Sequence, residues 1–161
     1  EPCKKLVEIS LRKKGVKNIN NTTVEKAEFP NNYFDFIHFW HVLEHVSDPY
    51  EVLNKIYKWL KPGGILNLGT PSPDSIISKY YPYLTGYFDL GKEHTFILPK
   101  KTLHSLLTKI GYKIRTHAVY SNPKKGKGIK ILIRNVLHQL HPPLVANLQR
   151  VEAIKPFNKI D

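Results

Sequence analysis

The hydrophobic pattern of the chain centres on residues 34–40, a short run that is mainly aromatic or aliphatic. Such a run is typical of a strand that is buried on both faces of a sheet. A turn at residues 30–32 precedes it, and the polar side chains of His41, Glu44 and His45 follow it. Because ligands of open α/β sheets bind beyond the carboxyl ends of the strands, we expect the chemistry of the chain at this point.

A helix is predicted directly after this polar cluster. Asp48 is a good N-cap residue, Pro49 suits the first helical position, and apolar residues then recur at helical spacing. The helix ends at residues 61–64, where the Pro62-Gly63 pair predicts a type II turn with a positive φ at Gly63. A strand over residues 65–68 completes a βαβ unit, which implies parallel pairing and a right-handed crossover.

Shorter patterns predict the elements on either side of this unit. Residues 2–14 read as a helix that stops at Gly15, and residues 16–20 as a short strand. Residues 99–110 read as a helix that stops at Gly111. Before this last helix, residues 80–94 carry many aromatic side chains with little periodicity, which indicates a lid or substrate loop.

Residues 112–120 alternate and are predicted to form an edge or half-exposed strand. The alternation places two sets of side chains on opposite faces. One set is Tyr112, Ile114, Thr116 and Ala118, and the other is Lys113, Arg115 and His117.

Length and composition indicate a globular protein. The chain has 161 residues, of which 41% are hydrophobic, enough for one domain with a core. It has no signal-peptide pattern and no apolar run near the roughly 20 residues of a membrane span. Its single cysteine, Cys3, excludes an internal disulfide framework and favours a cytoplasmic location.

The net charge of +12 raises the question of an anionic partner. Residues 121–161 hold eight basic and two acidic residues, and the rest of the excess is scattered. A solvated basic surface is therefore favoured over a nucleic-acid site. We expect a domain over residues 1–120, followed by a basic linker and an amphipathic helical tail over residues 121–161. The alternative function is a non-catalytic basic module, whose tail would contact nucleic acid or an anionic membrane surface.

An ordered set of motifs resembles class I S-adenosylmethionine-dependent methyltransferases of the small-molecule type, which include quinone-biosynthesis enzymes. The resemblance covers about residues 1–120, and the set as a whole carries it rather than any one motif. The motifs are Glu1-Pro2, Phe29-Pro30, Phe34-Asp35, the His41 to His45 segment, Asp48-Pro49, the Leu60 to Gly64 segment, Thr70-Pro71, Glu93-His94 and Ile110-Gly111-Tyr112.

The resemblance implies an α/β Rossmann-like sheet, with strand order 3-2-1-4-5-7-6, that binds S-adenosylmethionine. Glu1 holds the position of the acidic residue that binds the ribose hydroxyls. Thr23 and Val24 correspond to the loop beside the adenine, with Glu25 a weaker candidate. Trp40 and His41 correspond to the methionine end, where an indole can attract the sulfonium. A solvated loop at Thr23 and a core role for Trp40 remain the alternatives.

One part of the family pattern does not occur. The glycine-rich loop after the first strand, G-x-G-x-G, is not found anywhere in the chain. We therefore expect an incomplete sheet, without the first strand and most of the second. The chain would be the carboxyl-terminal part of a methyltransferase, inactive on its own.

Methyl transfer from a sulfonium is an in-line displacement that needs alignment and exclusion of water. A general base is required only where the acceptor carries a proton of high pKa, and His45 and His94 are the candidates. His41 to His45 also reads H-x-x-E-H, a zinc-protease pattern. A strand end is the wrong setting for that motif, so no metal is assigned. An ion held by Glu44 and His45 near a small-molecule acceptor is a further alternative.

Overall fold

The computed structural model describes residues 1–13, 18–80, 94–120, 136, 146 and 148–157, without the side chain of Ile77. It divides into two compact units, Glu1–Pro30 and Asn31–Asp161. Within the described residues, no helix has the length and apolar character to cross a membrane.

The first unit contains one helix, α1 (Lys4–Leu11), with Val7 buried. The predicted helix over residues 2–14 is therefore confirmed in its central part. The side-chain amide of Asn21 donates to the carbonyls of Glu1 and Pro2 at 3.1 and 2.9 Å. Residues 18–20 have no regular structure, so the strand predicted over residues 16–20 is wrong there. Its first two residues, and the predicted stop at Gly15, lie outside the described residues.

The second unit is built on a sheet of four strands in the order β1-β2-β4-β3. Strands β1 and β2 are parallel, whereas β4 is antiparallel to both of its neighbours. This arrangement matches the 4-5-7-6 half of the predicted Rossmann-like order, so the fold class is confirmed. The elements are β1 (Phe34–Trp40), a 3₁₀ turn (Leu43–His45), α2 (Pro49–Trp59), β2 (Leu60–Pro71), α3 (Ile76–Tyr80), α4 (Lys100–Ile110), β3 (Lys113–Tyr120) and β4 (Leu148–Ile154).

Two helices cover one face of the sheet. α2 contacts β2, α4 contacts β3, and the helices also contact each other. Their apolar stripes and the inward strand residues form a core with side chains at most 1% exposed. Burial of this kind contributes roughly 25 cal/mol per Å² of apolar surface, which makes it the main stabilising term. The core includes Leu53, Ile56, Leu66, Leu68, Leu103, Leu107 and Val151.

The predicted helix caps and turn around α2 and α4 are confirmed. The Asp48 carboxylate accepts from the Glu51 amide at 3.0 Å, which caps α2. Gly63 has φ +80°, as the type II turn requires, and Gly111 ends α4 with φ 114°. The 61–64 turn lies within β2 as an irregularity, because Phe34 pairs with Leu60 and Phe36 with Ile65.

A bulge in β3 changes the predicted alternation of that strand. Ile114 pairs with Ala153 and Thr116 with Glu152, so Arg115 is an extra residue in the ladder. An extra residue shifts the alternation, and His117 falls on the face of Ile114 and the helices. The prediction that His117 shares a face with Lys113 and Arg115, opposite Ile114, is therefore wrong.

The predicted helical tail is wrong for residues 148–154. These residues form β4, which lies between β2 and β3 and pairs with both. The sheet therefore extends beyond the predicted domain end at residue 120. The rest of the predicted tail lies outside the described residues except for Val136, which is helical, Ala146 and residues 155–157. Most of the predicted lid, residues 81–93, also lies outside them.

Candidate active site

The chain turns sharply where β1 ends. His41 has φ +51°, in the left-handed region that non-glycine residues rarely adopt. Its amide donates to the carbonyl of Gly69 on β2 at 2.8 Å, which holds this conformation in place. Strained backbone of this kind is concentrated at functional sites. The turn directs the chain from the sheet into the 3₁₀ turn that carries Glu44 and His45.

Glu44 is a buried carboxylate, only 1% exposed. Its Oε1 lies 2.8 Å from Nδ1 of His41, and its Oε2 accepts a hydrogen bond from the Thr70 hydroxyl at 3.1 Å. A buried carboxylate is costly unless such partners compensate for lost hydration. Glu44 therefore ties the turn after β1 to the carboxyl end of β2.

The main chain of Glu44 also positions a distant segment. Its carbonyl accepts from the amides of Thr95 and Phe96 at 2.7 and 3.2 Å. These bonds place His94 beside His45, with the ring centroids 5.0 Å apart and the planes tilted by 34°. The two predicted catalytic histidines, 49 positions apart in the sequence, are thus brought together.

Trp40 lies on the sheet face opposite the helices. A Cβ added at Gly69 would overlap its indole, so the ring packs directly on the β2 backbone. The indole also stacks with His38 at 5.2 Å and Tyr120 at 6.2 Å between centroids. Trp40 and the His41 ring, 6.1 Å apart, stand at the same strand end as predicted.

The remaining predicted cofactor-binding residues, Glu1, Thr23 and Val24, lie in the first unit. The Asn21 side-chain amide donates to the Glu1 carbonyl at 3.1 Å, so Glu1 lies against the loop that continues into Thr23 and Val24. Oε1 of Glu1 accepts from the Cys3 amide at 3.0 Å. Glu1 is exposed, while Thr23 and Val24 are half-buried.

The side chains present in each unit have chemistry that suits one part of S-adenosylmethionine. The exposed Glu1 carboxylate has lone pairs for a ribose diol besides its bond to Cys3. The half-buried indole of Trp40 offers an aromatic surface to a sulfonium.

A second histidine pair was not predicted. His104 Nε2 and His117 Nδ1 are 2.6 Å apart, between α4 and β3. Burial, the neighbouring His104 and the charge of Lys100 lower the pKa of His117 to about 4. Burial and Lys100 also lower the pKa of His104. Only the bulge at Arg115 turns His117 inward, and no residue type in the sequence marks that bulge.

Thr70 was missing from the predicted site residues, and Glu44 was predicted only as an alternative ion ligand together with His45. A signal for Glu44 exists in its position, a lone carboxylate between Leu43 and His45 in an apolar stretch. Thr70 gives no such signal, since its role depends on β1 and β2 lying side by side.

Comparison with known proteins places this geometry in a family. Residues 2–117 match the family model described as a methyltransferase domain. A segment is 39% identical over 59 residues to phosphoethanolamine N-methyltransferase 3 of Arabidopsis thaliana, covering 32% of the chain and 12% of that protein. The matched segment therefore spans about an eighth of the length of this curated relative.

Solved structures share the fold. An S-adenosylmethionine-dependent methyltransferase of Thermotoga maritima aligns with a TM-score of 0.67 and 22% identity, covering 96% of this chain and 71% of that one. Another, from Archaeoglobus fulgidus, aligns with a TM-score of 0.65 and 16% identity, covering 96% and 74%. Since the family model spans well over half of the chain, the chain belongs to the methyltransferase domain family of class I, whose cofactor is S-adenosylmethionine.

Proposed function

We propose that the protein transfers a methyl group from S-adenosylmethionine to a small-molecule acceptor by in-line displacement. The observation that carries the proposal is the cluster at the carboxyl end of β1, where Glu44 links His41 to the strand β2 and brings His94 next to His45. This end of the sheet is where ligands of open α/β folds bind.

Each candidate residue has a role in this proposal. Glu1 binds the ribose hydroxyls, Thr23 and Val24 border the adenine, and Trp40 and His41 border the methionine end. The reaction then depends mainly on alignment of the acceptor with the methyl group.

His45 and His94 are the proposed acceptor-side residues. With their ring centroids 5.0 Å apart, they could both reach one small acceptor. An imidazole can take the proton of an acceptor hydroxyl near neutral pH.

We further propose that the glycine-rich strand and loop are encoded upstream of Glu1 in the natural protein. The basis is the family match from residue 2 onward together with the lack of G-x-G-x-G in this sequence. Reading about 40 codons upstream checks this, because a βα unit with that motif should occur there. An unrelated upstream sequence would contradict it.

Calorimetric titration of S-adenosylmethionine into the full-length protein tests the cofactor site. We expect Glu1→Ala to abolish measurable binding, since the ribose loses both carboxylate bonds. Glu8→Ala, which removes another exposed carboxylate of the same unit, is the matched control and should bind normally. Equal affinity of Glu1→Ala and wild type would remove Glu1 from the site.

A further inference from the structure

We propose that Glu44, His45 and His94 form a binding site for a divalent transition-metal ion. Each offers one ligand atom, a carboxylate oxygen or an imidazole nitrogen, and these atoms all lie within 4.8 Å of one another. Nothing in the family match or the named relatives refers to such a site. It concerns ion binding only and does not depend on methyl transfer.

The donor set selects the class of ion. Two imidazoles with one carboxylate suit zinc, cobalt, manganese or iron, whereas magnesium and calcium prefer oxygen ligands alone. Bonds of about 2.0–2.2 Å require ligand atoms roughly 3–3.5 Å apart around a tetrahedral ion. The present separations, up to 4.8 Å, would have to shorten for such coordination, and the exposed His45 side chain is the ligand with the most room to adjust.

The surroundings of Glu44 orient it in the manner of a metal ligand. The Thr70 hydroxyl and the His41 ring contact different oxygens of the carboxylate, at 3.1 and 2.8 Å. Ligating carboxylates are usually held by such outer hydrogen bonds, which fix their orientation and tune the ion. Both oxygens keep lone pairs for a further bond.

The main chain brings the third ligand into reach. The Glu44 carbonyl binds the amides of Thr95 and Phe96, and these bonds set the position of His94. One residue thus supplies a ligand through its side chain and places another through its backbone.

Burial gives a physical reason for an ion at this position. Glu44 is 1% exposed, and a negative charge at such a position loses most of its hydration. A divalent cation would replace that hydration directly. Coordination would also tie the 3₁₀ turn to the segment that carries His94.

Cobalt(II) titration of the full-length protein, freed of its affinity tag and treated with EDTA, tests the proposal. We expect one ion per chain, visible as d–d absorption bands and as heat in calorimetry. His45→Ala and His94→Ala should each weaken binding at least about tenfold. His38→Ala, which removes an exposed histidine of β1 outside the cluster, should bind as wild type does.

No cobalt binding by the wild type, or equal affinity in His45→Ala, overturns the proposal. His45 is exposed, so its truncation leaves a folded protein and decides the matter even if His94→Ala is unstable. A loss confined to one of the two histidine variants also overturns a three-ligand site. Titration of S-adenosylmethionine in EDTA is a separate measurement, so failure of the ion site and failure of the cofactor site are distinguishable.

Discussion

At the scale of single residues, the polar groups buried around the sheet differ in how completely they are hydrogen-bonded. Glu44 has a hydrogen bond at each carboxylate oxygen and two more at its carbonyl. His117 differs, because its buried Nε2 has no hydrogen-bond partner among the described residues. A buried polar atom without a partner costs about 1–3 kcal/mol, so Nε2 of His117 lowers the stability of the fold.

The first prediction concerns the His104–His117 pair. His117 and His104 have lowered pKa values in the folded protein, so the unfolded chain binds more protons below its normal histidine pKa of about 6.5. Stability contributed by neutral His117 is therefore complete above pH 6.5 and is lost as the pH falls toward about 4. Lys100 reinforces the effect, while the charge of Asp74 opposes it.

Urea denaturation at pH 7 and pH 5 measures this loss of stability in acid. His117→Gln removes the buried titrating group, so its stability should differ less between the two pH values than that of the wild type. His38→Gln, at an exposed position of β1, serves as the control and should keep the wild-type difference. An unchanged difference in His117→Gln would show that the pair does not control acid stability.

At the scale of elements, the turn at residues 61–64, which follows α2 and leads into the rest of β2, depends on one glycine. Gly63 has φ +80°, and a Cβ there would also overlap the ring of Phe157. Non-glycine residues in the left-handed region lose about 1–2 kcal/mol. The turn matters for the site because β2 leads from it to Thr70, the partner of Glu44.

The second prediction separates the effect of the positive φ at Gly63 from that of the overlap with the Phe157 ring. Gly63→Ala should lower the free energy of unfolding by about 1–2 kcal/mol because of its backbone conformation. Phe157 is 78% exposed and its ring can move away, so adding Phe157→Ala should not restore the loss. Chemical denaturation of the single and double variants checks this. Full recovery in the double variant would show that the ring contact, not the φ angle, is responsible.

At the scale of the whole molecule, the sheet includes an inserted strand, β4, that comes from far along the chain. β4 lies between β2 and β3, so these two strands do not pair with each other although both precede β4 in the sequence. Val151, on β4, is 0% exposed against the helices, while its neighbour Arg150 is exposed on the other face.

The third prediction follows from this position. Val151→Asp should destabilise the protein by about 3–5 kcal/mol, because it buries an unpaired charge in the middle of the sheet. Arg150→Gln loses only a surface ion pair with Glu152 and should cost at most about 1 kcal/mol. Urea denaturation compares them. Similar stability of the two variants would mean that residues 148–154 do not contribute a central strand to the folded sheet.

The sequence by itself determined the local features of this protein. The cap at Asp48, the positive φ at Gly63, the helix stop at Gly111 and the strand at residues 34–40 depend on neighbouring residues, and all were predicted. The expected burial of that strand on both faces was wrong, because only Phe39 in it is buried. The ordered motifs also identified the family and half of its strand order. Side-chain periodicity and turn chemistry are local, so a linear pattern contains them.

Only the tertiary structure decided the place of β4, the inward side of His117 and the contact of His45 with His94. Each depends on pairing between distant segments: a strand inserted after residue 147, a bulge that shifts the ladder by one residue, and two hydrogen bonds to the Glu44 carbonyl. The free energy of such contacts comes from partners far apart in the chain, and strand registers shifted by one residue have the same local pattern. The cluster around Glu44 could be suspected from the sequence, but its geometry required the folded sheet.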